Sequence, residues 1–177
     1  MGRYCYHLAI SAGMPEAGVA ELLNAAPMHD IGKVGIPDSI LLKPGKLNSS
    51  EWEVMKSHTT IGAEILAGGV SALTQLAGVV ALTHHERWDG SGYPNGLAGE
   101  DIPLEGRIAA ICDVFDALTS ERPYKKPWLV SEALDSIEEM SGLHFDPSLV
   151  AAFLNIEKEI LDIRESLLDE NDAGNNF

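Results

Sequence analysis

The sequence contains few cysteines, few basic residues and no long apolar run. Cys5 and Cys112 lie far apart and in no metal-binding or redox motif, so we expect two buried, reduced thiols. Twelve lysines and arginines face 27 acidic residues, and the net charge of −15 excludes an extended nucleic-acid surface, which needs a basic stripe. No apolar run approaches the roughly 20 residues of a membrane span, and no signal-peptide pattern opens the chain. We therefore expect a cytoplasmic protein whose partners include no membrane and no nucleic-acid polymer.

Strand patterns are missing as well, because no segment alternates apolar and polar residues over a useful length. Apolar residues instead recur at helical spacing, and glycine and proline separate the helical segments. The pattern predicts helices at 4–12, 16–29, 50–66, 70–86, 104–120, 130–141 and 147–168, with loops at 32–47 and 87–103. Ser50 and Glu53 predict a capping box at the start of the third helix, and Asp146 with Pro147 predicts the start of the last. The fold class is therefore predicted to be all-α.

The residues with metal-binding chemistry form two adjacent pairs and two single positions, separated by 26 to 28 residues. The candidate ligands are His29, Asp30, His58, His84, His85 and Asp113. Imidazole with carboxylate is the ligand mix of iron, manganese or zinc, whereas the all-thiolate set of a structural zinc site is absent. Because two adjacent pairs are more than one ion can use, we predict a two-metal site for phosphoester hydrolysis.

Asp113 lies in the apolar stretch 108–115, which we expect to be buried. An ionised carboxylate there would be strongly penalised without a compensating cation, and a metal ion supplies one. A single histidine is more often a core or surface residue than a ligand, but six candidate ligands together reverse that expectation. His7 and His144 have no ligand partner nearby in sequence, and we predict that both are structural.

These motifs together resemble the HD-GYP family, a branch of the HD phosphohydrolases. The resemblance covers residues 1–155 and rests on His-Asp-Ile-Gly-Lys at 29–33, on the segments 36–45 and 84–94, on His58 and on the segment 113–124. It implies an HD-domain helical bundle with a long Gly-Tyr-Pro loop. It also implies a phosphodiesterase of bacterial second-messenger signalling that opens cyclic di-GMP to pGpG, and in some members on to GMP. Two divalent metal ions, iron or manganese, would be its cofactors.

The motifs suggest a role for Asp30 within the ligand set and roles for four further side chains. Asp30 is expected to bridge the two metals, and Lys33 to contact the scissile phosphate and offset developing charge, although a solvated surface lysine is the usual alternative. Asp116, one turn after Asp113, could orient a ligand, a substrate group or Lys33, with a structural cap as the weaker alternative. The resemblance places Arg122 and Lys125 near the substrate phosphates.

The glycine-rich loop at 87–103 offers two aromatic faces for stacking on a purine, Trp88 and Tyr93. We predict that Trp88 packs mainly on the helices and that Tyr93 lies mainly at the substrate pocket or at a partner surface. A diguanylate cyclase domain is the candidate partner for this loop.

We predict three parts of the chain: a phosphodiesterase domain at 1–155, an amphipathic helix at 156–168 and a disordered tail at 169–177. The apolar stripe of the helix is expected to pack on its own domain, with a homodimer contact as the less favoured alternative. We also expect an N-terminal truncation. The first helix has no capping residue, and the family's arginine and histidine before Tyr4 would precede Met1. An upstream sensory or receiver domain would be missing too, and the ion held by His29, Asp30 and Asp113 would be bound more weakly.

Two rival functions stay open. One is an HD hydrolase that acts on another nucleotide or phosphoester, and the Gly-Tyr-Pro loop argues against it. The other is a signalling module that binds cyclic di-GMP or a partner protein without turnover, and the intact set of candidate ligands argues against that.

Overall fold

The structure is a computed structural model that describes residues 1–121 and 126–174, with side chains described up to 166. In these ranges an isolated bridge between Ser141 and Phe145 is the only β-type pairing. The described α-helices are α1 (Gly2–Ser11), α2 (Glu16–Ala25), α3 (Asp38–Leu41), α4 (Ser49–Lys56), α5 (His58–Ala67), α6 (Ala72–Thr83), α7 (Leu104–Thr119), α8 (Val130–Glu139), α9 (Pro147–Leu154) and α10 (Glu157–Gly174). The predicted all-α class is confirmed.

Two helix starts show how local sequence sets the boundaries. At α9, the Asp146 carboxylate accepts a hydrogen bond from the Ser148 amide at 2.8 Å, as predicted. At α4, the Asn48 side chain accepts from the Glu51 amide at 2.9 Å, and the Glu51 carboxylate accepts from the Asn48 amide at 2.8 Å. The capping box predicted on Ser50 and Glu53 was therefore wrong, because Asn48, two residues earlier, caps the helix together with Glu51.

Two predicted helices are each divided in the structure. The segment 50–66 breaks at Ser57, which makes His58 the first residue of α5. The segment 147–168 breaks between α9 and α10, and α10 extends to Gly174, past the predicted end at 168. Short 3₁₀ turns at Ala26–Met28 and Ile31–Gly35 flank His29 and Asp30, where a helix end and a loop were predicted. The division of the chain into domain, terminal helix and tail stays a prediction.

The main core joins the first and last helices to α7. The Tyr4 ring meets the Phe115 ring edge-on at 5.2 Å, and Phe115 meets Phe153 in the same way at 5.3 Å. Ile160 and Ile163 are buried in this core, so α10 packs on its own domain. Cys5 and Cys112 are free and fully buried, as predicted.

Two contacts fix the elements that carry the site. Arg107 of α7 donates to the Asp146 carboxylate at 2.7 Å, and this pair is largely buried and ties α7 to the start of α9. Gly32 lies so close to α5 that an added Cβ would collide with the carbonyl oxygen of His58 and the amide nitrogen of Gly62. The absence of a side chain at Gly32 therefore lets the segment after Asp30 lie directly against the start of α5. Among the described residues, no helix is long and apolar enough to cross a membrane.

Candidate metal centre

The six predicted ligands come from four places in the chain, and the structure brings all of them together. One pair lies between the two 3₁₀ turns, one residue opens α5, the second pair follows the end of α6, and one residue lies within α7. In chain order these are His29, Asp30, His58, His84, His85 and Asp113. Helices distant in sequence thus converge on one polar cluster, as the spacing of the motifs predicts.

The two oxygens of Asp30 face different parts of this cluster. Oδ1 lies 3.4 Å from Nε2 of His58 and 3.9 Å from Nε2 of His84. Oδ2 lies 3.3 Å from Nε2 of His29, whose Nε2 is also 3.5 Å from Oδ1 of Asp113. Ligand atoms of Asp30, His58, His84 and His85 all lie within 4.8 Å of one another. The Asp30 carboxylate therefore lies between two groups of ligand atoms.

Three of the imidazoles are oriented by the backbone behind them. Nδ1 of His29, His58 and His84 lies 2.9, 2.7 and 3.0 Å from the carbonyl oxygens of Ala26, Met55 and Val80, respectively. A carbonyl oxygen can only accept, so each Nδ1 must carry the proton and donate. In the neutral rings of His58 and His84 the lone pair is then on Nε2, which faces the cluster, and this is the usual orientation of metal-binding histidines.

Burial keeps part of the cluster neutral. Together with the neighbouring imidazoles of His85 and His29, it lowers the pKa of His84 to about 3. It also lowers the pKa of His85 to about 4, with the nearby His58 acting in the same direction. These two rings are therefore uncharged at neutral pH, the form in which histidine binds a metal.

The aspartate side of the cluster is charged. Burial lowers the pKa of His29, but hydrogen bonding with Asp113 and Asp30 outweighs it and raises this pKa to about 10. Burial also raises the pKa of Asp30, but its contacts with His29 and Lys33 outweigh that effect and hold the pKa well below the ordinary range. Asp30 is accordingly an anion at neutral pH.

Asp30 Oδ1 provides a test of whether a metal fits. Among the side chains that the structure describes, it is the buried polar atom left without a hydrogen-bond partner. It faces the Nε2 atoms of His58 and His84, whose lone pairs are acceptors like itself. An arrangement of buried acceptors around an anionic oxygen is costly unless a cation lies among them. This mixed nitrogen and oxygen set fits a divalent transition metal.

The remaining predicted site residues differ in how close they lie to the cluster. Lys33 Nζ lies 2.5 Å from Asp30 Oδ2, and its side chain is 41% exposed, so it stands at the rim. The Asp116 carboxylate lies 3.5 Å from the Met1 amino nitrogen, and its described contacts include neither Lys33 nor a cluster histidine. Arg122 and Lys125 lie outside the described residues.

Tyr93 of the Gly-Tyr-Pro loop borders the cluster. Its amide donates to the His85 carbonyl oxygen at 3.1 Å, and its ring lies 4.8 Å from the His85 ring and 6.5 Å from the His58 ring. Burial raises the pKa of its hydroxyl, and the negative charges of Asp30 and Asp113 add to the effect. Tyr93 therefore presents a neutral ring beside two candidate ligands.

Trp88, at the start of the same loop, has structural contacts. Its amide donates to the His144 carbonyl oxygen at 3.0 Å, and the Arg107 guanidinium lies 5.9 Å from its ring centre. His144 stacks on Phe145 at 4.2 Å, and burial lowers its pKa to about 4. His7 packs edge-on against its neighbour Tyr6 at 5.3 Å. Neither histidine joins the metal cluster.

The sequence assigns no role to Glu86, which organises the Gly-Tyr-Pro loop. Its side chain is buried, and its two carboxylate oxygens accept from the amides of Asn95 at 2.8 Å and Leu97 at 3.0 Å. Gly92 passes so close to the backbone of His85 and Glu86 that it has no room for a Cβ. The signal that could have found Glu86 is an acidic residue at the end of an apolar, buried helix.

An all-α bundle that gathers four imidazoles and two carboxylates in this way has the construction of a metal-dependent phosphohydrolase domain. A family model described as HD domain matches residues 1–149. The chain belongs to this HD domain family and, with its Gly-Tyr-Pro loop, to the HD-GYP branch. The resemblance inferred from the motifs is thereby confirmed.

Proteins similar to this chain include bacterial phosphodiesterases. A cyclic di-GMP phosphodiesterase of Thermotoga maritima is 53% identical over 168 residues, 95% of this chain and 46% of that protein. The 3′3′-cGAMP-specific phosphodiesterase 2 of Vibrio cholerae is 50% identical over 166 residues, 94% of this chain and 32% of that protein. A solved cyclic GMP-AMP-specific phosphodiesterase of V. cholerae has a TM-score of 0.68 and 21% identity, covering 89% of this chain and 42% of that chain, and shows the fold. The chain spans less than half the length of these relatives.

Proposed function

We propose that this chain hydrolyses a phosphodiester bond of cyclic di-GMP to give pGpG, with GMP as the product of a further step. The observation that carries the proposal is the position of Asp30. Its Oδ1 faces His58 and His84, while its Oδ2 faces His29. The relatives support the substrate class, since one acts on cyclic di-GMP and another on 3′3′-cGAMP.

Two divalent ions, iron or manganese, are the proposed cofactors. One would be held by His29, Asp30 and Asp113, and the other by Asp30 together with the three remaining cluster histidines. Imidazole with carboxylate is a ligand mix that suits these metals. When bound, such ions lower the pKa of water and polarise a phosphoryl oxygen.

The residues around the cluster prepare the substrate for this chemistry. Lys33 stands at the rim with an exposed ammonium group, which we assign to the scissile phosphate, where it offsets developing charge. Tyr93 covers His85 and limits the access of water on that side. Arg122 and Lys125 as phosphate contacts, and Asp116 as an orienting group, are proposals that rest on the motif positions.

The setting of the reaction is also a proposal. We infer that the protein acts in the cytoplasm and that a diguanylate cyclase domain docks on the Gly-Tyr-Pro loop, where Ser91 and Asn95 are exposed. A homodimer through α10 has less support, because Ile160 and Ile163 are already buried within the domain.

Product chromatography after incubation with cyclic di-GMP tests the function. We expect pGpG from manganese-loaded protein and none after chelation. His84→Ala should abolish the product, whereas His7→Ala, the matched control outside the cluster, should keep it. Equal rates in both variants would exclude this cluster as the active site. Binding of cyclic di-GMP by the metal-loaded protein without any product would favour the signalling module, and turnover of another phosphoester alone would favour the other HD hydrolase.

A further inference from the structure

A hollow of about 250 Å³ lies beside Tyr93, outside the cluster of metal ligands. It is formed by α4, by the first turn of α5 and by the Gly-Tyr-Pro loop, and its lining is Glu53, Lys56, Ser57, Thr60, Tyr93 and Pro94. The Tyr93 ring also lies 4.8 Å from the His85 ring. The hollow is therefore separated from the metal ligands by about the width of one aromatic ring.

Two opposite charges stand together at this hollow. Lys56 Nζ lies 5.7 Å from the centre of the Tyr93 ring and 2.9 Å from Oε1 of Glu53, one turn earlier on α4. The Lys56 side chain is 26% exposed and that of Glu53 is 69% exposed. A pair with one partner so exposed contributes little to stability. Both charged groups can therefore be contacted by a ligand without loss to the fold.

The pair matches the edge of one particular base. Guanine carries hydrogen-bond donors at N1 and N2 beside an acceptor at O6, so a carboxylate next to an ammonium group complements it. Adenine has an amino group in place of O6 and a lone pair at N1. The Lys56 ammonium group would then face another donor, and the Glu53 carboxylate would face another acceptor. The Tyr93 ring offers a stacking face, which any base can use. Selectivity would come from Glu53 and Lys56.

The size of the hollow fits one base and not a whole cyclic dinucleotide, since pockets for entire small ligands begin at roughly 300 Å³. A base and its phosphate are joined through a single ribose. A base held here would therefore leave its phosphate within reach of the cluster beyond Tyr93.

We propose that this hollow is a guanine subsite, in which Glu53 accepts from N1 and N2 of a guanine base, Lys56 donates to O6, and Tyr93 supplies the stacking face. The proposal rests on the phosphodiesterase function proposed above and names the base that is read. It has a consequence for substrates with two different bases. In 3′3′-cGAMP the guanine would take this hollow, so that only one of the two phosphodiester bonds meets the metal cluster.

Titration with GMP and with AMP, using metal-loaded protein, tests the subsite without turnover. We expect wild-type protein to bind GMP roughly tenfold more tightly than AMP or better, the value of one well-made base contact. Glu53→Ala and Lys56→Met should lose this preference. Glu64→Ala, which removes an exposed carboxylate of α5 outside the hollow, should retain it. Equal affinity for both nucleotides in wild type, or an unchanged preference in the two hollow variants, would overturn the proposal.

Turnover separates failure of the subsite from failure of the phosphodiesterase function. We expect cyclic di-GMP to be opened faster than cyclic di-AMP, and 3′3′-cGAMP to give one linear product. Equal rates with both linear products from 3′3′-cGAMP would overturn the subsite and leave the function intact. A GMP preference that depends on Glu53 and Lys56, in a protein that opens no cyclic dinucleotide, would support the subsite and overturn the function.

Discussion

Substitution of Gly32 by alanine perturbs the contact that joins the packing of the domain to the geometry of the site. The added Cβ would collide with the His58 carbonyl oxygen and the Gly62 amide nitrogen, and would lie 2.9 Å from the Gly62 Cα. All of these atoms belong to the backbone of α5, so rotation of a side chain cannot relieve the overlap. The 3₁₀ turn at Ile31–Gly35 and α5 must move apart.

The magnitude follows from the kind of atoms involved. Overpacking typically costs 1–3 kcal/mol, and a clash with backbone takes the upper end, about 3 kcal/mol. For a domain of this size that lowers the melting temperature by roughly 6–12 °C. The same movement separates Asp30 Oδ1 from His58 Nε2, now 3.4 Å apart, so bound metal should decrease as well.

Gly68→Ala is the matched control at the end of α5. Its φ is −75°, in the right-handed helical region, and a Cβ there meets no atom within 4 Å. Thermal unfolding followed by circular dichroism, with metal analysis of the same samples, compares the two variants. We expect Gly68→Ala to match wild type in both. A Gly32→Ala protein that melts with the control and keeps its full metal content would refute the packing account.

Three further predictions concern charged side chains. Burial raises the pKa of Asp146, but hydrogen bonds from Ser148 and Arg107 outweigh it and hold this pKa below its ordinary value. The pair therefore stabilises the fold above about pH 4, and its contribution is lost as the pH falls through the folded-state pKa. In Asp146→Asn, the free energy of unfolding should depend less steeply on pH at acid pH than in wild type. A slope equal to that of wild type would contradict this. In Glu86→Gln, the new side-chain amide donor faces the loop amides of Asn95 and Leu97, which are themselves donors. Hydrogen exchange in the Gly-Tyr-Pro loop should therefore accelerate, with metal content unchanged. Exchange at the wild-type rate would argue against a positioning role for Glu86. Lys33→Met should lower kcat roughly 100-fold, the usual order for a lost electrostatic contact, with little change in bound metal; loss of metal would show that its role was misassigned.

The candidate ligands could be predicted because their residue types and their spacing can be recognised in the sequence alone. Adjacent pairs such as His29 with Asp30 must stay adjacent in space, and the 26 to 28 residues between ligands match a helix with its loop. The orientation of the rings could not be predicted. It depends on which carbonyl oxygens lie behind each Nδ1, that of Met55 for His58 and those of Val80 and Ala81 for His84, and this is set by where each helix ends.

The helix break at Ser57 was not predicted either, because it too depends on tertiary structure. The segment 50–66 has continuous helical spacing and no proline at the break, yet the chain turns so that His58 opens α5. The role of Glu86 was also hidden, because its partners are loop amides whose position depends on tertiary structure. Helical pattern thus predicts the elements, whereas contacts between loops and helix ends complete the site.

Titration of metal-free protein with Mn²⁺ measures whether Asp30 joins two metal positions. We predict that wild type binds two ions, with weaker binding at the position that has only His29, Asp30 and Asp113. Asp113→Asn should remove one ion, whereas Asp30→Asn should weaken both by more than the roughly tenfold cost of losing an outer hydrogen-bond partner. An Asp30→Asn protein that binds Mn²⁺ with the stoichiometry and affinity of wild type would show that Asp30 does not join two metal positions.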